Sequence, residues 1–112
     1  MSLYKDPKQL KALRLAYSKS KANVWKRVKE LVERGGRVVN LDRIERNTED
    51  GDKVVVPGKV LSSGTLTHKV IVGALSFSSA ARRKIEEAGG KALTLDEFVK
   101  KFKKGKGVKL IG

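Results

Sequence analysis

Fourteen unneutralised positive charges on a chain of 112 residues limit what it can become before any helix or strand is assigned. Like charges repel in a compact state, and a domain this short buries only part of its surface, so its margin of stability is small. Solubility asks a charge of only about 2 to 8 of a small domain. The surplus points to a polyanionic partner, nucleic acid first.

The excess is concentrated at the two ends. Residues 1–40 carry eleven cations against three acids, and residues 100–112 carry six cations and no acid. Between them, residues 41–56 sum to −2, residues 57–81 to +2 and residues 82–99 to 0. The expected organisation is one domain over residues 1–112. It has a basic helical N-terminal region at 1–36 and an α/β body at 37–112 with a basic C-terminal loop.

The chain reads as short alternating elements. Leu10, Leu13 and Tyr17 recur at helical spacing behind Asp6-Pro7, with Lys8, Lys11 and Arg14 between them, which predicts an amphipathic helix with a basic outer face. A second helix is expected after Ser20-Lys21-Ala22-Asn23. Val24, Val28 and Leu31 share its face, Trp25 and Val32 flank that face, and Gly35-Gly36 stops it. Val38 to Leu41 reads as a strand, and Leu41 to Arg46 as a helical turn capped by Asn40. Two further strands, Lys53–Val56 and Lys59–Leu61, are expected on either side of a Pro57-Gly58 turn, and Ser62 to Thr65 leads to a third at His68–Ala74. Ser76 or Ser78 caps a helix that ends at Gly89-Gly90, and Lys91–Leu93 follows as a strand. Thr94-Leu95-Asp96-Glu97 has the form of a capping box, so a helix should carry Leu95, Phe98, Val99 and Phe102 on one face. Lys103 to Gly107 is a Gly-broken basic loop before a last strand at Val108–Ile111.

Catalytic chemistry finds little to work with. There is no Cys, which excludes disulfides, a thiolate nucleophile and Cys-ligated zinc, and His68 is the one imidazole. No segment matches a phosphate-cradling P-loop or a G-x-S-x-G elbow. Glu49, Asp50 and Asp52, and Glu86-Glu87, read as solvated turns and helix ion pairs, and Asp50-Gly51-Asp52 lacks the rest of a calcium loop. We expect no enzyme activity, no metal, no cofactor and no small-molecule substrate. No apolar stretch approaches the roughly 18 residues of a membrane helix, and Met1 to Tyr17 is too charged for a signal peptide. A cytoplasmic protein with no membrane partner is expected.

Binding chemistry is better supplied, because cations displace counterions from phosphate and planar groups stack on unpaired bases. Lys19, Lys21, Asn23, Lys26 and Arg27 form the first candidate cluster. Ser20 and Asn23 either contact RNA or cap the helix, and Trp25 reads as core. Lys59 after Pro57-Gly58 and His68-Lys69 after the Gly64 turn form a second cluster if these are loop tips, with His68 better read as structural. Lys103, Lys104 and Lys106, spaced by Gly105 and Gly107, form a third; Lys100 and Lys101 clothe the last helix.

The series Asn23-Val24-Trp25-Lys26-Arg27-Val28, Asn40-Leu41-Asp42-Arg43-Ile44, Gly51 to Leu61, Ala74-Leu75-Ser76-Phe77-Ser78 and Glu87 to Leu93 resembles the ribosomal protein eighteen-e family of the large subunit. That family is related to bacterial large-subunit protein fifteen. The resemblance runs in order through nearly the whole chain to Gly107–Gly112, and the compact length is of the archaeal type. It implies an irregular superhelix of β-β-α turns, a structural role on the ribosome, 23S-type rRNA as partner and other large-subunit proteins as neighbours. Asn23 to Arg27 and Gly58-Lys59 match family motifs; the Lys103 to Lys106 cluster rests on charge alone. The short Glu33-Arg34-Gly35-Gly36-Arg37 stretch departs from the longer Pro-containing basic segment of the family, so no contact is carried over there. On composition alone two other readings stay open: a free basic protein that coats DNA or regulates an mRNA, and an adaptor for an acidic protein.

Overall fold

Val54, Val55 and Val56 are three consecutive β-branched residues, all fully buried. Successive strand residues face opposite ways, so this strand must be covered on both sides, as in a parallel sheet between helices. A computed structural model describes residues 23–102, 105 and 107–112 and shows that arrangement. In chain order the elements are α1 (Asn23–Glu33), β1 (Arg37–Asn40), α2 (Leu41–Asn47), β2 (Asp52–Leu61), β3 (Val70–Phe77), α3 (Ser79–Glu87), β4 (Lys91–Thr94), α4 (Leu95–Lys101) and β5 (Val108–Leu110). The body is α/β, and every strand pairing is parallel.

The strands lie side by side in the order β1-β2-β3-β4. β3 takes one edge of β2 over most of its length. β1 and β5 share the other, β1 beside Gly58–Leu61 and β5 beside Lys53–Val55. Leu41 and Ile44 of α2, with Ala81 and Ile85 of α3, cover the face bearing Val54, Val56, Val70 and Val72. Trp25, Val28 and Val32 of α1, with Leu95, Phe98 and Val99 of α4, cover the face bearing Val55 and Leu75. Gly73 admits Phe98: a Cβ there would run into the ring. Trp25 meets Phe98 edge-on, with centroids 6.1 Å apart and planes at 81°, a favoured aromatic geometry.

Several boundaries follow the forecast. α1 ends at Gly35 and Gly36, whose amides return to Val32 and Leu31 at 3.1 and 3.0 Å. Ser78, not Ser76, caps α3, its hydroxyl accepting from the Ala81 amide at 3.1 Å. The capping box at Thr94 forms, with the Thr94 amide donating to Glu97 Oε1 at 3.1 Å. The expected helix around Leu10, Leu13 and Tyr17 lies outside the described residues.

Pro57-Gly58 is not a turn. β2 runs through it, with a register shift between Val56 and Lys59. The missing Pro57 amide is accommodated at that irregularity. Gly58 is required for another reason: a Cβ there would overlap the carbonyl oxygen of Arg37 on β1. Lys59 therefore stands inside a strand and not on a loop tip. β3 also departs from expectation, starting at Val70 and ending at Phe77. The Lys69 amide is taken by Asp50 Oδ1 and its carbonyl by the Gly51 amide, so the ladder starts one residue later. At the far end Phe77 still has Val60 as its partner. Asn40 stands at the N-cap of α2 without a side-chain cap bond; the Asp42 amide instead donates to Ser63 O at 3.0 Å.

Ser63 belongs to the segment 62–69 that returns the chain from the end of β2 to the start of β3 with no helix in between. Leu66 is buried beneath it. Lys84 Nζ donates to the carbonyls of Ser62 and Gly64 at 2.9 and 3.1 Å, and Glu45 accepts from the Thr67 amide at 2.9 Å. The Thr48 hydroxyl donates to Ile44 O and meets His68 Nε2, both at 2.7 Å, while His68 Nδ1 lies 3.1 Å from Glu45 Oε1. His68 is thus a structural tie between the return segment and α2.

The close approach at Gly58 is testable. Gly58→Ala must push β1 off β2 and lowers stability by about 1 to 3 kcal/mol, the range of forced overpacking. Lys91→Ala, on an exposed strand residue, stays within about 0.5 kcal/mol. Urea unfolding of both variants separates them, and equal midpoints refute the packing argument.

Candidate nucleic-acid interface

α1 displays its cations by periodicity. Trp25, Val28, Leu31 and Val32 turn to the sheet and are buried, which leaves Lys26 and Arg27 exposed. The other cation of the helix centre, Lys29, is bonded to Glu33 one turn on at 3.0 Å. Neither Lys26 nor Arg27 has an acid within ion-pair distance among the described residues. Trp25 is fully buried against Phe98 and offers no stacking surface. Asn23 opens α1; its side chain, and Lys19, Lys21, Lys103, Lys104 and Lys106 altogether, lie outside the described residues.

Lys59 is half-buried in β2 between Val38 of β1 and Ser76 of β3 in the sheet register. No acid pairs with it among the described residues. Val38 beside it is 57% exposed, and Arg37 is exposed too. A partly dehydrated ammonium without a carboxylate favours an external anion. Lys69 is exposed, but it precedes Val70, the partner of Asp52 at the opposite end of β2. Seven residues of strand, about 20 Å, separate the two levels. The expected pairing of Lys59 with Lys69 in one cluster of loop tips is therefore corrected: they stand at opposite ends of the sheet. Arg82 and Phe77, passed over because residues 82–99 sum to zero charge, place an exposed guanidinium 5.2 Å from the ring centroid.

The acids, by contrast, are largely engaged inside the fold. Thr67, by its hydroxyl and then its amide, holds the Glu45 carboxyl below its ordinary 4.5. Lys109, 2.8 Å away, and then the Glu49 amide hold Asp52 below 3.8. The Thr94 amide and then its hydroxyl hold Glu97 below 4.5. Asp50 takes the Lys69 amide, and Asp42 faces Arg46 at 3.9 Å. Structural engagement of the carboxylates leaves the cations of α1 and of the Lys59 row to face outward. The described residues contain no group of three or more His, Asp and Glu placed to hold a metal.

Comparison with known proteins agrees with this electrostatic pattern. Residues 20–93 match the family described as ribosomal proteins 50S-L15 and 50S-L18e with their 60S counterpart. A Methanothermobacter thermautotrophicus protein named large ribosomal subunit protein eL18 is 45% identical over 107 residues, covering 93% of this chain and 88% of the relative. The protein of that name from Pyrobaculum aerophilum is 43% identical over 102 residues, covering 88% and 84%. The one from Archaeoglobus fulgidus is 45% identical over 97 residues, covering 84% and 83%.

The three lowered carboxylates fix the sign of an acid effect. A group whose pKa is lower folded than unfolded adds stability above its unfolded value, and that stability is lost as pH falls through the folded value. The contribution is therefore complete at pH 7 and declines below about 4.5, the ordinary value for Glu45 and Glu97. Glu45→Gln should lower stability at pH 7 and flatten the loss of stability on acidification. Urea midpoints taken from pH 7 to pH 3 test this, and an unchanged acid slope in Glu45→Gln would count against the Thr67 tie.

Proposed function

The chain belongs to the family of ribosomal proteins 50S-L15 and 50S-L18e, and from that premise we propose that it is a structural constituent of the large ribosomal subunit that binds and stabilises 23S-type rRNA during assembly and translation. The observation that carries this is the near full-length match to large-subunit proteins, joined to exposed cations that the protein's own acids leave unpaired. The role is structural and not catalytic. Its other partners are neighbouring large-subunit proteins, and its place is the cytoplasm, on the ribosome. No helix among the described residues is long and apolar enough to cross a membrane.

Lys26 and Arg27 meet phosphates from the outer face of α1, and Lys59 meets one from the sheet surface beside Val38. Lys69 contributes from the other end of the sheet. Lys19, Lys21, Asn23, Lys103, Lys104 and Lys106 extend the interface along the basic ends of the chain. A rigid sheet carrying fixed cations reads RNA by shape and phosphate position more than by base sequence.

Replacing Lys26 and Arg27 together by Ala should leave stability within about 0.5 kcal/mol, since both are exposed. Binding to a large-subunit rRNA fragment should weaken, and the slope of log affinity against log salt should fall by about 0.7 to 0.9 for each phosphate that the variant no longer neutralises. Titrations at several salt concentrations measure both. Equal affinity for rRNA and random duplex DNA at about 150 mM salt would overturn the ribosomal reading in favour of a free nucleic-acid-binding protein.

A further inference from the structure

Arg82 lies on the opposite side of the molecule from Lys26 and Arg27. α1 lies across β2 and β5 on one face of the sheet, whereas α3 packs on the other face and reaches β4, the far edge strand. From α3, Arg82 extends toward the helix N-terminus, the direction in which helical side chains lean. Its NH1 donates to Ala92 O on β4 at 3.1 Å, and its guanidinium lies over Phe77. Two contacts thus fix the plane of an exposed side chain. A guanidinium held this way has given up its rotamer freedom already and offers a flat cation to an incoming ring.

The charges around it are accounted for. Glu97, the nearest acid to influence Arg82, is engaged by the Thr94 amide and hydroxyl. Glu86 and Glu87 lie in the last turn of α3, and neither makes an ion pair with Arg82 or Arg83 among the described residues. Arg83 and Lys91 are exposed and without an acid partner among the described residues. Lys100 and Lys101, exposed on α4, lie beyond β4 on the other face.

Resting on the reading above, we propose that Arg82 stacked on Phe77 forms a second RNA surface at the β4 edge: it takes an unpaired nucleotide base, and the protein bridges two rRNA segments. Stacking supplies affinity without sequence readout, because every base has a π-face, and Arg83 and Lys91 supply phosphate contacts alongside. A strand that touched both this surface and α1 would have to wrap around the sheet edge. Two separate segments, one against each face, need no such path.

The absence of Cys makes the test clean, since one introduced thiol gives one attachment point. Ser79→Cys, two residues from Phe77, and Glu30→Cys, on α1, would each carry a tethered iron chelate into assembled large subunits. Hydroxyl radicals then cut the rRNA nearby. We expect two sets of cuts in distinct rRNA segments. Cuts from position 30 alone, or the same segment cut from both, would overturn the bridging surface and leave the ribosomal reading intact; no cuts from either position would overturn both. Arg82→Lys, which keeps the charge and removes the plane, should weaken binding to the rRNA segment cut from position 79 by at least about fivefold, the low end of base stacking. Wild-type affinity in Arg82→Lys at unchanged stability would show that charge alone is used there.

Discussion

The return from β2 to β3 governs the rest of the molecule. Parallel neighbours usually need a crossover of a dozen or more residues, commonly a helix. Here residues 62–69 must carry the chain from Leu61 back to Val70, the level of Asp52. Nine steps of extended chain reach at most about 32 Å, and the length to be retraced is about 30 Å. A segment with so little slack forms no helix of its own. Its backbone groups must find partners elsewhere, since unpaired polar groups under a packed edge are costly.

Those partners come from side chains of the helices on that face and of the turn before β2. Lys84 closes on two carbonyls, Glu45 on the Thr67 amide, Asp50 on the Lys69 amide, and His68 turns back on Thr48 and Glu45. The acidic stretch between residues 41 and 56 is therefore part of how the strand return is held. This also accounts for the charge pattern of the surface. Acids engaged in the return segment cannot neutralise the lysines and arginines of α1, and the net charge remains on the outside, where it acts on a partner.

Much of this was legible in the sequence, and the gaps have one origin. Helix α1, the Ser78 cap, the Thr94 capping box and the buried face of α4 are written in local periodicity and in residues three or four apart. The buried state of Trp25 follows from its place beside the Val28 face. Parallel pairing is not local. Pro57-Gly58 signals a turn to any reading of neighbours, and only the arrival of β1 against Gly58 shows that the glycine serves a close backbone approach. Once that turn is removed, Lys59 moves from loop tip to sheet surface and parts from Lys69. A charge sum along the chain hides Arg82. Its partners, Phe77 and Ala92, lie five residues before it and ten after, and the fold brings them together.

The same placement explains why a marginal core can carry so large a charge. Repulsion between fixed cations falls with distance and is screened beyond about 8 Å at physiological salt. The exposed cations of α1, the Lys59 row and the β4 edge occupy different faces and ends of the sheet, so the folded body avoids concentrating them. The two sheet faces are covered by apolar residues, Trp25 and Phe98 on one side and Ile44 and Ile85 on the other, which hold the layers together while the charge is kept outside. A polyanion approaching such a body meets cations already in place. It gains from the release of its counterions and loses little to ordering the protein. Lys59 is the sharpest instance: dehydration by its neighbouring strands costs free energy in the isolated protein, and an external phosphate offsets it.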